Sequence, residues 1–361
     1  MKRVLILSSK TGGGHESIAR AVKQALRKQF KVEVYDGLPR LGAKLYGYVH
    51  LYLPAFYNLA YRLTDNPLMA KILHFFSSLF SLPALKKIPF EDYDLIFSIQ
   101  PLLISEVSRL IGKQKFAILI NDPISVHQAW ICPRADLIFV ATQEAKKLCL
   151  QKGLPPEKII ISGFPIRKQF FKKLPTKEIL RQELGLKPNQ FTVFVGGSGY
   201  GVRETKEIVK HLQNQNIQII VVCGRNKTLR KALVKKENLK VFGFVKNMAK
   251  LMKACDLIVG KAGPNLLFES VALGIPFLAT GYPPEQEKGN MELIKKRQIG
   301  FVEENPKKAA ALIKKLSRNP RELERLISNI RKLAKIHQNT SKIIVSKISY
   351  LLKNSTMAKR R

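Results

Sequence analysis

Short, continuously apolar runs alternate with helix-patterned stretches along the chain, and the alternation occurs twice. In the first half the runs fall at residues 4–7, 32–35, 95–98, 117–120 and 137–140, with a helical pattern at 16–29 between the first two. A strand with one wet face alternates apolar and polar residues, whereas a continuous apolar run is covered on both faces, as in parallel sheets with crossover helices on either side. The second half repeats the rhythm at 192–195, 217–222, 240–242, 257–259 and 276–279. The pattern therefore predicts an α/β protein built from two doubly wound, Rossmann-like sheets. A chain of 361 residues is long enough for each sheet to own a core. The rhythm is interrupted at 163–176 by Pro165, Pro175 and several lysines, which sets the expected domains at 1–165 and 166–330. Leu323, Leu326, Ile327, Ile330 and Leu333 then recur at helical spacing, so residues 331–361 are expected to form a C-terminal helix and a basic tail able to pack on either domain.

Charge narrows the class of partner. Sixty-three Lys and Arg against 26 Asp and Glu give a formal net charge of +37. Such an excess suits nucleic acid, phosphorylated ligands or an anionic lipid surface; a heavily solvated lysine-rich exterior gives the same count. No nucleic-acid-binding module accompanies it, so nucleic acid is not the expected partner. Cys132, Cys149, Cys223 and Cys255 show neither metal nor disulfide spacing, which fits a reducing cytosol. The apolar run at 4–7 is too short for a signal peptide.

One region breaks the rhythm. Residues 45–61 carry no charge but hold Tyr46, Tyr48, Tyr52, Phe56, Tyr57 and Tyr61, and a second uncharged stretch covers 72–85. Fenced by Lys44, Arg62 and Lys71, these segments fit helices lying in a lipid interface, and they equally fit ordinary core helices.

The polar residues between the runs carry the chemistry. After the first strand come Gly12, Gly13, Gly14 and His15, at the start of a helix. Glycines there let backbone amides approach a polar ligand. The dinucleotide fingerprint is absent, because Ser17 stands where Gly or Ala is needed, so NAD is not expected. The partial positive charge of a helix start disfavours the imidazolium, which keeps His15 available as a general base; a structural or phosphate-binding role is the alternative.

In the second half five polar turns follow five strands: Gly197-Ser198-Gly199, Arg225-Asn226, Phe244-Val245 with Met248, Gly263-Pro264-Asn265 with Glu269 in the next helix, and Gln286-Glu287 with Asn290. All fall on the carboxyl edge, where open α/β sheets bind ligands. One extended ligand can touch all five. The helix start marked by Gly263 and Pro264 offers free backbone amides to a diphosphate, Glu269 can accept from ribose hydroxyls, and Gln286 and Glu287 suit a sugar. No Asp-x-Asp occurs in this second half, the one in the chain being Asp92-Tyr93-Asp94 before the third strand of the first half, so no metal and no cofactor is expected beyond a donor substrate.

Together, Gly12-Gly13-Gly14-His15, the segment from Asp122 through His127 to Trp130, Arg225-Asn226, Lys261-Ala262-Gly263-Pro264 and Gln286-Glu287 with Asn290 resemble the family of monogalactosyldiacylglycerol synthases and processive diacylglycerol glucosyltransferases, relatives of the lipid II synthase. The resemblance implies a GT-B fold with two domains facing a cleft and inversion at the anomeric carbon. It implies a lipid acceptor on the first domain, near Gly13, Gly14, Asp122, His127 and Trp130, and UDP on the second. Uracil recognition would fall to the backbone at Phe244 and Val245, ribose to Glu269 and the sugar to Gln286 and Glu287. Asn121 stands where relatives have Thr, and Asn265 and Leu266 where they have Gly and Thr. The expected partners are then a UDP-sugar carrying glucose or galactose, diacylglycerol and anionic membrane lipids, with the protein held peripherally on the cytoplasmic face of the cell membrane. A polyprenyl-linked or soluble acceptor, and a non-catalytic UDP-sugar-binding regulator, are the competing readings.

Overall fold

A computed structural model describes residues 1–9, 13–38, 49, 53–196, 203–213, 215–233, 236–281 and 285–357. The chain divides into two compact units: Met1–Arg167 with Pro284–Gln286 and Asn339–Arg361, and Lys168–Pro283 with Glu287–Gln338. The first break lies close to the boundary expected at 165. The C-terminal part differs from expectation: helical sequence up to Gln338 stays with the second unit, and only the segment from Asn339 joins the first.

The first unit contains β1 (Arg3–Ser8), α1 (Gly13–Leu26), β2 (Lys31–Asp36), α2 (Pro54–Leu63), α3 (Pro67–Leu85), β3 (Leu95–Ser98), α4 (Ile104–Leu110), β4 (Lys115–Leu119), β5 (Leu137–Val140), α5 (Gln143–Gln151) and β6 (Ile159–Ile161). Its strands form one parallel sheet in the order β2-β1-β3-β4-β5-β6. Leu5, Leu7, Ile96, Phe116, Ile118, Ile138 and Val140 carry the core, fully covered as the unbroken apolar runs require.

The second unit contains α6 (Lys177–Glu183), β7 (Thr192–Gly196), α7 (Arg203–Leu212), β8 (Gln218–Val222), α8 (Lys227–Ala232), β9 (Leu239–Phe242), α9 (Met248–Lys253), β10 (Leu257–Gly260), α10 (Pro264–Leu273), β11 (Phe277–Ala279), α11 (Lys288–Lys296), β12 (Gly300–Val302), α12 (Pro306–Arg318) and α13 (Arg321–Gln338). Its sheet is parallel in the order β12-β11-β10-β7-β8-β9, the dinucleotide-fold arrangement with its reversal between β7 and β10. The last helix, α14 (Thr340–Met357), packs on α1 of the first unit, where Ser349 donates to Gln29 at 2.8 Å.

Two strand ends of the second sheet crowd one another. Gly196 has φ +142, and a Cβ there would lie 2.6 Å from the Val222 carbonyl oxygen. A Cβ on Gly260 would lie 2.2 Å from the Gly196 carbonyl oxygen. Both glycines are thus required by backbone packing at the switch point itself. Gly260→Ala is expected to cost about 2 kcal/mol or more by forcing β7 and β10 apart, read as a lower Tm and a weaker UDP affinity together; an unchanged Tm would show that the edge yields freely.

Candidate functional site

In the first sheet the order reverses between β1 and β3, and His15 sits at that point. It lies in the opening turn of α1, with Nδ1 3.2 Å from the Ile99 carbonyl oxygen at the end of β3. A carbonyl only accepts, so the proton is on Nδ1 and Nε2 keeps its lone pair. Burial pushes the imidazole below its ordinary value, and the Ile99 bond opposes that only in part. The helix start was the expected cause of neutrality; burial is the dominant one. Gln100 donates to Ser9 at 2.6 Å, closing the turns after β1 and β3 together. Gly13 is exposed, and a Cβ there would meet nothing within 4 Å; Gly14, beside it, is half-buried.

Beyond β4, the Asp122 carboxylate accepts from Trp130 Nε1 at 2.9 Å. Both residues are buried, and burial raises Asp122 to about 6 despite the Trp130 bond. Trp130 is therefore the partner of Asp122 and lies inside the unit. A carboxyl group that holds its proton more tightly when folded destabilises the fold above its unfolded value. That penalty is absent near pH 3.5, grows as pH rises through 4 to 6, and is full by pH 7. Asp122→Asn is accordingly expected to raise stability at pH 7 by on the order of 2 kcal/mol and to change little at pH 3.5, measured by urea denaturation at both values.

His127 ties this loop to a helical hairpin. Its Nδ1 accepts from the Ala129 amide at 3.1 Å, so the proton lies on Nε2, 3.1 Å from the Tyr61 carbonyl and 3.2 Å from the Thr64 hydroxyl. The Tyr61 ring lies against it, with centroids 4.6 Å apart. Both nitrogens are engaged within the protein, so the side chain expected to line the acceptor site instead fixes the end of α2 beside it. Asp65 reinforces the tie by accepting from the Gln128 amide and pairing with Lys152, both at 2.7 Å. The uncharged stretches at 45–61, rich in aromatic residues, and at 72–85 were the signal for these helices; a histidine 66 residues distant as their anchor had none.

The hairpin presents an apolar exterior. Phe56, Leu59 and Leu63 on α2, and Leu68, Ile72, Phe75, Phe76, Leu79 and Phe80 on α3, are exposed at helical spacing. The opposite face of α3 buries Ala70, Ser81 and Leu85, and Ser77 bonds the Leu102 carbonyl at 3.0 Å. By length and composition α3 is apolar enough to cross a membrane, and 22% of it is buried. Tyr46, Tyr48 and Tyr52 lie outside the described residues.

In the second unit the carboxyl ends of β8 to β11 gather the expected donor residues. Arg225 and Asn226 follow β8; the Arg225 guanidinium lies 5.7 Å from the centre of the exposed Phe244 ring, which follows β9. Asn226 accepts from the Leu229 amide and so starts α8 rather than offering its oxygen to a ligand. Val245 is half-buried in the same turn, and Met248 opens α9. Gly263 caps α10 with no side chain, Pro264 and Asn265 fill the first two positions, and the first-turn amides keep their anion-binding character. Glu269 is buried further along α10. The Glu287 carboxylate oxygens stand 3.7 Å from where a Cβ of Gly263 would be, which brings a sugar-type acceptor to the helix start. Asn290 is buried and donates to the Ala262 carbonyl at 2.8 Å, so it shapes the turn. Gly197, Ser198 and Gly199 lie outside the described residues. Gln286 groups with the first unit: its carbonyl accepts from Ser125 at 2.8 Å and its side chain from Tyr57 at 3.4 Å. Among the described residues, no group of three or more His, Cys, Asp or Glu is placed to hold a metal ion.

Two parallel sheets of this order, each with its polar residues on the carboxyl edge, define the GT-B fold. Solved structures agree: HepE of Anabaena, crystallised with UDP and glucose, matches 98% of this chain and 100% of its own at 18% identity and a TM-score of 0.59. MurG of Acinetobacter baumannii matches 97% and 100% at 18% identity and a TM-score of 0.62. The chain belongs to the monogalactosyldiacylglycerol synthase family. That family's model matches residues 15–166, and the glycosyltransferase family 28 C-terminal domain matches 191–346. A probable monogalactosyldiacylglycerol synthase 2 of Oryza sativa subsp. japonica is 30% identical over 92% of this chain and 77% of its own length. Monogalactosyldiacylglycerol synthase 2 of Arabidopsis thaliana is 30% identical over 92% and 78%.

Proposed function

We propose that the protein transfers a hexose from a UDP-sugar to diacylglycerol with inversion, producing a membrane glycolipid. The observations that carry the reading are a base on the first unit and a diphosphate seat on the second. His15 holds an unprotonated Nε2 at the first switch point, and the uncapped start of α10 lies beside Glu269 and Glu287 at the second. The diacylglycerol hydroxyl gives its proton to Nε2 as its oxygen attacks the anomeric carbon. The bond to the diphosphate breaks, and UDP leaves with the electron pair, stabilised by the α10 amides and without a metal ion. Arg225 and Phe244 form a platform for the uracil ring. The names of the similar proteins favour galactose over glucose.

The exposed stripes of α2 and α3 support peripheral docking on a bilayer, with the cationic surface drawn to anionic lipid. Incubation with radiolabelled UDP-galactose or UDP-glucose and vesicles of diacylglycerol and anionic phospholipid, followed by separation of the lipids, tests the reading. Label in a monohexosyl diacylglycerol is expected; label only in a polyprenyl carrier or a soluble acceptor, or in nothing, overturns it.

A further inference from the structure

The Ile99 carbonyl accepts two donors. His15 Nδ1 lies 3.2 Å from it and Asn121 Nδ2 3.3 Å, while the two nitrogens are themselves 3.2 Å apart. Two arrangements of protons are conceivable. If Asn121 donated to Nδ1, the ring lone pair would be occupied by Asn121 while still pressed against the lone pairs of the Ile99 oxygen, and Nε2 would be protonated and useless as a base. If both donors converge on the carbonyl, each lone pair of the oxygen is used and the short nitrogen–nitrogen distance is only their common aim. The second arrangement gives each donor an acceptor, whereas the first sets the Nδ1 lone pair against those of the Ile99 oxygen.

We infer that Asn121, at the end of β4, is the positioning residue for His15: by sharing the Ile99 carbonyl it holds the imidazole in the tautomer with Nε2 unprotonated. Asn121 and Ile99 are both buried, so neither exchanges this contact for water. In the chain next to this turn, the described ends of β1, β3 and β4 carry Ser9, Gln100, Asn121 and Asp122, and α1 itself carries Glu16 and Arg20, which pair with each other. Of these Asp122 is the buried titratable group, and its Oδ2 is held by Trp130. A neutral amide thus stands beside Nδ1, where a carboxylate would raise the basicity of the ring against the burial that lowers it.

The inference rests on His15 being the base, and one series of variants separates the two. His15→Ala is assayed first, with UDP affinity by calorimetry to count competent molecules. Retained turnover removes the base and with it anything for Asn121 to position. With turnover lost, Asn121→Leu, Asn121→Thr and Asn121→Asp are compared for kcat, KM for the UDP-sugar and the pH dependence of kcat. The Leu variant is expected to lose about tenfold in kcat with KM unchanged, and Thr, whose hydroxyl can donate to Ile99, to recover most of it. The Asp variant is expected to move the acid limb upward by about one pH unit or more, because its carboxylate favours the imidazolium. Should the Leu variant fail to fold, the Thr and Asp variants carry the test. An Asn121→Asp profile that coincides with that of the unaltered protein, while His15→Ala is inactive, overturns the role of Asn121 and leaves that of His15 standing. A packing role alone would lower Tm and leave the acid limb in place.

Discussion

His15→Ala is expected to lower kcat about 100- to 10,000-fold while leaving UDP affinity unchanged. The size follows from removing the proton acceptor that the start of α1 fixes at the first switch point. The selectivity follows from the division of the chain: His15 belongs to the first unit, and Arg225, Phe244, Gly263 and Glu269 to the second. The imidazole must be neutral to accept a proton, and burial lowers its pKa below the ordinary 6.5. Activity of the unaltered protein should therefore fall only on acidification below that value and be flat above it. In the variant this acid limb should vanish with the residue. Calorimetry with UDP and transfer assays from pH 5 to 8 check both parts; a variant that turns over normally sinks the base assignment.

The second large effect concerns the hairpin. Replacing Phe75, Phe76 and Leu79 together by Asp is expected to weaken binding to anionic vesicles by on the order of ten-thousandfold. Each lost apolar side chain forgoes roughly 1 kcal/mol even when only partly immersed, and each new carboxylate is repelled by a similar amount. These side chains are exposed in the protein, so Tm should not fall. Flotation with vesicles measures the first expectation and thermal unfolding the second. Turnover of a short-chain, dispersed diacylglycerol should persist in the triple variant. Undiminished vesicle binding would show that α3 is not the docking element.

Ten strands were legible because their apolar runs are unbroken or interrupted by a single polar residue, as by Glu33 in β2 and Gln218 at β8; β6 and β12 were not, and the reason is size. Each has three residues at a sheet edge, Ile159–Ile161 and Gly300–Val302, too brief to stand out from neighbouring loops. The donor edge was legible as well, since polar residues after consecutive parallel strands must share one end of a sheet. What sequence could not separate was ligand contact from architecture. Asn226 and Asn290 look alike in a string of polar turns, yet one caps a helix and the other braces a loop. His127 reads as a ligand-facing histidine until its two nitrogens are followed to Ala129 and Tyr61. Asn121 registers in sequence only as an unusual neighbour of Asp122. Its importance depends on a carbonyl 22 residues away, brought alongside by the pairing of β3 with β4.

The return of α14 to α1 has a consequence for biosynthesis. α1 is made early, whereas α14, which packs on it with Ile344, Ile348 and Leu352 buried, emerges from the ribosome only after the second unit. An unfinished chain therefore holds an uncovered greasy flank on its amino-terminal part throughout translation, and chaperones that bind nascent apolar surface have a defined target there until the final helix arrives.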